Sequence, residues 1–144
     1  MSKSLKFSFV LLLILLTGCN GISKYDDNET AAIVKGQEIT IGDLRFLYPD
    51  DTALDYLDWA IKFELVKQEV EDKALDITDN LEADGDWFTK LPPKNTKDEG
   101  GKQIRQYAQS QAKKLDMKPE ECQREYAKRM NEQNAYLITY LESK

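Results

Sequence analysis

Residues 31–74, AAIVKGQEITIGDLRFLYPDDTALDYLDWAIKFELVKQEVEDKA, contain the strongest structural signals in the sequence. This stretch opens with apolar residues 32–34, turns at Lys35 and Gly36, and returns through residues 37–39. Glycine takes the positive φ that a tight turn requires, so this pattern predicts a two-stranded hairpin. Because so short a pair of strands is not stable alone, we expect it to pack on helices.

A short helix is predicted directly after the hairpin. Thr40 is suited to the N-cap position, and Asp43 stands three residues later, which is the spacing of a capping box. The helix covers residues 41–48, because Pro49 disfavours helical geometry in the residue before it.

A long helix is predicted over residues 52–75, with Asp50 or Asp51 as its cap. Two adjacent apolar stripes give it a broader face than a surface helix needs, which implies contact with more than one neighbour. The stripes contain Leu54, Leu57, Ile61 and Leu65, and beside them Trp59, Phe63, Val66 and Val70. We interpret the i,i+4 pairs on the polar side as a solvated helix face: Glu64 with Gln68, and Glu69 with Lys73.

Residues 76–101 break the helical pattern with glycines, prolines and acidic side chains. We predict a long irregular connection with a helical turn over residues 78–83. Loops of this length are usually functional or mobile. Its large apolar residues therefore have two interpretations, contact with a partner or capping of the core: Trp87, Phe88 and Leu91.

Two further helices are predicted, over residues 102–115 and from Pro119 to about residue 142. Asp116 stands at the join between them and tolerates the left-handed conformation better than most residues. The first helix is expected to be apolar along Ile104, Tyr107 or Ala108, Ala112 and Leu115. The second is expected to be apolar along Cys122, Tyr126, Met130, Leu137 and Leu141. The fold class is therefore a mostly α, small helical bundle with a hairpin near its N-terminus.

The N-terminus has the organisation of an export signal over residues 1–18. Lys3 and Lys6 precede an apolar run that is too short to span a membrane. The sequence Leu-Thr-Gly-Cys ending at Cys19 resembles the lipobox of bacterial lipoproteins, which implies lipid on Cys19 after cleavage. An ordinary secretory signal with a chance cysteine is the alternative. We interpret residues 19–31 as a polar tether, and residues 32–144 as the domain.

Charge and cysteine usage restrict the partners. Without the two lysines of residues 1–18, 18 basic residues face 26 acidic ones, a net charge of −8. Nucleic-acid binding requires clustered basic residues, so we expect no nucleic-acid partner and an anchor made of lipid, facing outside the cytoplasm. If Cys19 carries lipid, Cys122 has no intramolecular partner, and we expect it to be a buried structural thiol.

The hairpin, the cap at Thr40 and the long helix resemble the N-terminal module of the SurA/PrsA family of extracytoplasmic folding factors. The join KKLDMKPEECQ, residues 113–123, is similar to a recurrent helix join of that family, with Asp116 where glycine is common. The resemblance implies that the long helix packs on the last helix and that the hairpin closes the bundle. It implies a chaperone module without the parvulin isomerase domain, whose active site relies on histidine.

Little in the sequence predicts catalysis. The chain contains no histidine, which removes the commonest general base and metal ligand, and it has no nucleophile elbow or phosphate loop. Residues 80–86 have the spacing of a calcium loop, but Leu91 stands where the bidentate glutamate should be, so an acidic turn is the preferred interpretation. We expect neither an enzyme nor a cofactor, metal or small-molecule substrate.

The leading hypothesis is a membrane-anchored chaperone-like lipoprotein that binds unfolded or partner polypeptides without catalysis. The alternative is an accessory envelope lipoprotein with one dedicated protein partner. The candidate polypeptide-binding residues are Trp87, Phe88, Leu91, Trp59 and Phe63. For the last two, a place in the core is the preferred interpretation, because they continue the apolar face of the long helix.

Overall fold

The computed structural model describes residues 21–83 and 89–144, so Cys19, Trp87 and Phe88 lie outside the described residues. Within these ranges the chain is a small helical fold with a two-stranded antiparallel hairpin near its N-terminus, which confirms the predicted fold class. The strands are β1 (Thr30–Val34) and β2 (Gln37–Thr40). The helices are α1 (Ile41–Leu47), α2 (Leu57–Asp72), α3 (Thr78–Ala83), α4 (Glu99–Lys114) and α5 (Pro119–Glu142).

The hairpin turns at the two residues that the sequence indicated. Lys35 has φ 47° and Gly36 has φ 91°, the pair of positive angles that matches the twist of the flanking strands. Val34 and Ile39 point inward and are buried, and β1 contacts α2. The hairpin therefore packs against α2, as its small size requires.

The capping box before α1 is confirmed. The Asp43 N–H donates to Thr40 Oγ1 at 3.1 Å, and the Thr40 N–H donates to Asp43 Oδ2 at 3.0 Å. Two backbone donors that the helix leaves unpaired are thereby satisfied, which fixes the angle at which β2 passes into α1.

The predicted tether is corrected, because the segment from Gly21 onward belongs to the folded domain. Ile22 is 0% exposed, and its N–H donates to the Asp50 carbonyl at 2.9 Å. A Cβ on Gly21 would lie 2.4 Å from that oxygen, so only glycine permits the approach. One apolar residue in a polar segment has no periodicity, which is why the sequence pattern missed it.

The predicted helix over residues 52–75 is two elements. A 3-10 turn, Ala53–Tyr56, precedes α2, and no side chain caps either element. Asp50 and Asp51 are therefore not the caps that the sequence predicted. α2 ends at Asp72 and is followed by Ala74 with φ 51°. The Leu75 N–H donates to the Val70 carbonyl at 3.0 Å, as in a Schellman motif.

The last two helices lie close to their predicted positions. α4 begins at Glu99, three residues before the predicted start, because Asp98 Oδ2 accepts from the Gly101 N–H at 2.6 Å. Asp116 ends it in the left-handed conformation, with φ 52°. α5 begins at Pro119, as the sequence indicated, and the helical turn over residues 78–83 is α3.

Two predicted apolar faces are wrong in detail. Ile104 and Leu141 are 49% and 69% exposed, whereas Arg105 and Gln111 are buried. α4 lies against the connection before it and against the end of α1, and both present backbone carbonyls. Arg105 donates to the Pro92 carbonyl, and Gln111 Nε2 lies 3.5 Å from the Phe46 carbonyl. Buried carbonyl oxygens require hydrogen-bond donors, which Arg105 and Gln111 supply and apolar side chains could not.

α5 is the central helix, in contact with α2, α3 and α4. Small side chains at its buried positions, Ala127 and Ala135, allow close approach of its neighbours. A separate apolar cluster lies beneath the hairpin and contains Ile22, Val34, Ile39, Ile41, Leu44 and Ala53. None of the helices in the described ranges is long and apolar enough to cross a bilayer.

Candidate polypeptide-binding cleft

An open cleft of about 620 Å³ lies where the hairpin, α1, α2 and α5 meet. Its size falls within the range of ligand-binding clefts in proteins. Apolar and aromatic residues from β2, α1 and α2 form part of its lining: Ile39, Leu44, Leu47, Tyr48, Ala60 and Phe63. The cleft can therefore receive apolar side chains from a partner.

The rest of the cleft lining is polar, and half of its residues are carboxylates. Its carboxylates are Glu38, Asp43, Glu64, Glu71, Asp72 and Glu132. Its cations are Lys35, Lys67 and Arg129. Six carboxylates against three cations leave a net charge of −3 around the apolar lining.

One stripe of α2 supplies much of this lining. Ala60, Phe63, Glu64 and Lys67 are three or four residues apart and share a helix face. On the same stripe, Gln68 Nε2 donates to the Val34 carbonyl at 2.9 Å and to Glu64 Oε1 at 2.8 Å. The Glu64–Gln68 pair, predicted to be a solvated face, instead ties the hairpin to α2 beside the cleft.

The pKa of Tyr136 on α5 is affected by the negative charges of the cleft. Its hydroxyl donates to Glu71 Oε1 at 3.0 Å, and its ring meets the Phe63 ring edge-on at 6.3 Å between centroids. Burial raises the pKa of Tyr136 to about 12, helped by the hydrogen bond to Glu71 and the charges of Glu71, Glu132 and Glu64. The hydroxyl therefore stays protonated and holds α5 against α2.

Two of the three cations are already paired. Arg129 lies over the Phe46 ring at 4.0 Å, with Nη1 3.7 Å from Asp43 Oδ1. Lys67 Nζ lies 4.0 Å from Glu71 Oε1. Within the described ranges, four carboxylates of the cleft have no ion-pair partner: Glu38, Glu64, Asp72 and Glu132.

The structure brings one of the predicted contact residues to the cleft, Phe63. Trp59 lies outside the cleft and is 43% exposed, so it is not a core residue either. Leu91 is half-buried in the connection before α4 and does not line the cleft. The prediction for Trp87 and Phe88 lies outside the described residues.

Trp59 is three residues after Tyr56, Ile104 is three residues before Tyr107, and all four side chains are exposed. Because Tyr56 also contributes to the pKa of Tyr107, we call these four residues the aromatic surface. Tyr56 stacks on Tyr48 with ring centroids 4.0 Å apart and an angle of 2° between the rings. Burial raises the pKa of Tyr107 to about 12, with contributions from Tyr126, Cys122 and then Tyr56. Tyr48 after α1, Tyr107 of α4 and Tyr126 of α5 therefore lie near one another at this surface.

Sequence reasoning missed the acidic wall of the cleft. Glu38 and Glu132 are distant in sequence and come together only because β2 and α5 line the same opening. The one local signal was the α2 stripe that begins at Ala60, where charged residues continue an apolar face at helical spacing.

The other sites considered from the sequence carry no binding chemistry here. Cys122 is buried, and burial raises the pKa of its thiol, as expected for a structural cysteine. The Asn80 side chain donates to Thr139 Oγ1 at 2.9 Å, so the first position of the calcium-like segment contacts α5. Within residues 21–83 and 89–144, no group of acidic or cysteine residues is arranged to hold a metal ion.

No protein-family model, curated protein sequence or solved structure matches this chain. The resemblance to the SurA/PrsA module therefore depends on the hairpin, cap and helix-join motifs alone. The cleft lining combines apolar and aromatic residues with carboxylates, cations and glutamines.

Proposed function

We propose that this protein is a lipid-anchored, extracytoplasmic chaperone-like protein that binds unfolded or partner polypeptides without catalysis. The observation that carries the proposal is the open amphipathic cleft between the hairpin, α2 and α5. Apolar burial is non-directional, so such a lining accepts many side-chain sequences. The surrounding carboxylates keep the cleft hydrated when it is empty.

The composition of the cleft supports binding rather than chemistry. Its lining residues include no serine, threonine, cysteine or histidine, so no hydroxyl or thiol nucleophile with a histidine base is assembled there. Its tyrosine neighbour, Tyr136, is held protonated by burial and by Glu71. The polar groups that remain are suited to contacts with peptide amides and side-chain cations.

The anchor is the second part of the proposal. Lipid on Cys19 would hold the domain at the bilayer, since each buried methylene contributes about 0.8 kcal/mol. Labelling of cells with a palmitate analogue should modify the wild-type chain and leave Cys19→Ser unlabelled and released from membranes. Equal membrane retention of both chains would contradict the lipid anchor and leave the cleft proposal unaffected.

Aggregation of a denatured client enzyme tests the cleft. The lipid-free Cys19→Ser chain at molar excess should slow light scattering during client dilution from denaturant. Leu47→Ser in the cleft should weaken this protection several-fold, whereas Leu141→Ser, at a side chain 69% exposed outside the cleft, should retain it. Circular dichroism of both variants establishes that they are folded. Absence of protection by the parent chain would refute the proposal.

One observation favours the alternative of a single dedicated partner. The aromatic surface is rigid, because Tyr56 stacks on Tyr48, and tyrosine and tryptophan are the residues enriched at protein interfaces. Cross-linking and purification from the native envelope separate the two functions. One stoichiometric partner, lost on Trp59→Ala, would favour the accessory role, whereas many weak partners would favour the chaperone role.

A further inference from the structure

β2 has an unpaired backbone edge beside the cleft. Among the described residues the sheet consists of β1 and β2, so each strand has one edge without a strand neighbour there. Gln37, Glu38 and Ile39 of β2 line the cleft, whereas no residue of β1 does. The free edge of β2 is therefore the one that borders the cleft.

The hairpin register determines which backbone groups that edge presents. Val34 pairs with Gln37 across the two-residue turn, which makes them a hydrogen-bonded pair. Ile33 and Glu38 come next and form the non-hydrogen-bonded pair. The N–H and C=O of Glu38 therefore point away from β1, towards the side where an added strand would lie.

Alternation along β2 gives such a strand two different faces. Ile39 is buried with the apolar cluster, whereas Glu38 and its partner Ile33 are on the exposed face. In an added strand, the residue opposite Glu38 would lie beside its carboxylate. The residues on either side of it would point inward, towards the apolar lining that includes Leu44 and Phe63.

The negative charge of the cleft determines which residue type is favoured opposite Glu38 in an added strand. Glu38, Asp72 and Glu132 have no ion-pair partner in the part of the chain that the structure describes, and the lining carries a net charge of −3. Lysine or arginine in the bound segment would complement this charge, whereas aspartate or glutamate would be repelled.

We propose that the cleft binds one extended polypeptide segment as a third strand on β2, with apolar residues alternating with lysine or arginine. This inference rests on the proposed polypeptide-binding function and names the class of segment that the cleft prefers. Strand addition takes its affinity from backbone hydrogen bonds and its selectivity from alternate side chains. β2 has four residues, so few such bonds form and the segment is released readily.

Synthetic peptides test the charge and the backbone separately. A capped Val-Lys-Val-Lys-Val peptide should bind the Cys19→Ser chain in calorimetry, and its Val-Glu-Val-Glu-Val counterpart should bind at least about tenfold more weakly. N-methylation of both lysine amides, which removes the donors that would face the edge of β2, should weaken binding about fivefold. Raised salt should weaken binding of the lysine peptide in particular, because exposed charges are screened.

Paired substitutions locate the site. Glu38→Pro removes the outward N–H of β2, and Ile33→Pro removes the equivalent N–H of β1 on the edge away from the cleft. Only Glu38→Pro should weaken binding of the lysine peptide, by about fivefold. Glu38→Lys should weaken it to a similar degree, whereas Glu121→Lys, at an exposed position outside the cleft, should not.

The outcomes distinguish this inference from the function on which it rests. If the chain protects the client but Glu38→Pro and the N-methylated peptide bind as tightly as their parents, strand addition is wrong and polypeptide binding stands. Equal binding of the lysine and glutamate peptides would overturn the charge preference. If neither peptide binds and no client is protected, the proposed function itself fails.

Discussion

Lys114 Nζ on α4 lies 3.0 Å from the Asp50 carboxylate in the turn that follows α1. The same carboxylate lies 3.3 Å from Arg45 Nε, and the same ammonium donates to the Tyr48 carbonyl at 2.8 Å. Burial lowers the pKa of Lys114, and the hydrogen bond to Asp50 opposes that shift. One partly buried junction therefore joins α1, the turn after it and α4.

Loss of the Lys114 cation should destabilise the domain. Lys114→Ala leaves the Asp50 carboxylate with one partner and the Tyr48 carbonyl without its donor, so we expect a loss of about 2–3 kcal/mol in the free energy of unfolding. Urea denaturation measures it. Lys113→Ala, the exposed neighbour on α4, should change stability by less than about 0.5 kcal/mol. Equal losses in the two variants would contradict the structural role of the junction.

Ile22 tests where the domain begins. Because its side chain is fully buried, Ile22→Ala should destabilise by about 3 kcal/mol through lost burial and a residual cavity. Ile33→Ala, at a position 64% exposed, should cost less than about 1 kcal/mol. Denaturation of the full chain compares the two. An Ile22→Ala effect as small as that of the control would restore the tether interpretation of residues 21–30.

Ala74 tests the left-handed end of α2. With φ 51°, alanine carries a strain of about 1 kcal/mol that glycine does not, so Ala74→Gly should stabilise by about 0.5 kcal/mol after the added freedom of the unfolded chain is counted. Lys128→Gly, within α5, should instead destabilise by about 1 kcal/mol. The midpoints of thermal and urea unfolding show whether each variant is more or less stable than the parent chain. A loss of stability in Ala74→Gly would contradict the left-handed assignment.

Alkaline pH should unfold the domain through its tyrosines. Burial raises the pKa of Tyr107 and Tyr136 to about 12, above the value of about 10 for an unfolded tyrosine. The folded state then binds more protons than the unfolded state, so stability is complete below about pH 10 and falls as the pH rises towards 12. Lys114 has the opposite sign, because its pKa is lowered and its charging penalty fades as the pH rises.

Urea denaturation at a series of pH values measures this effect. Tyr136→Phe should make the decline in stability between about pH 10 and pH 12 shallower, because one proton fewer is released on unfolding. Near-ultraviolet absorbance should show tyrosinate forming together with loss of helical circular dichroism. Complete tyrosine ionisation near pH 10 in a chain that remains helical would contradict the burial of these hydroxyls.

The fold was predictable wherever residues close together in the sequence determine the local structure. Gly36 supplies a positive φ, Thr40 and Asp43 satisfy each other across one helical turn, and Asp116 and Pro119 end one helix and begin the next. Each of these signals acts over at most four residues, so it survives without knowledge of the tertiary fold.

The candidate site was much less predictable. Phe63 was named from its aromatic character and its position on α2, and it lines the cleft. Glu38 and Glu132 could not be named, because their proximity depends on the packing of the hairpin and α5 on α2. Arg105 and Gln111 show the same limit in the core, since each is buried opposite a backbone carbonyl that only tertiary contact supplies.

The sequence by itself determined the hairpin, the order of the helices and their boundaries to within a few residues, because turns, caps and helical periodicity are local. Tertiary contacts alone place Ile22 in the core, bring Lys114 to Asp50, and collect carboxylates and apolar side chains from β2, α1, α2 and α5 in one cleft. The reason is physical: burial and electrostatic potential are sums over neighbours in space, and those neighbours come from distant parts of the chain.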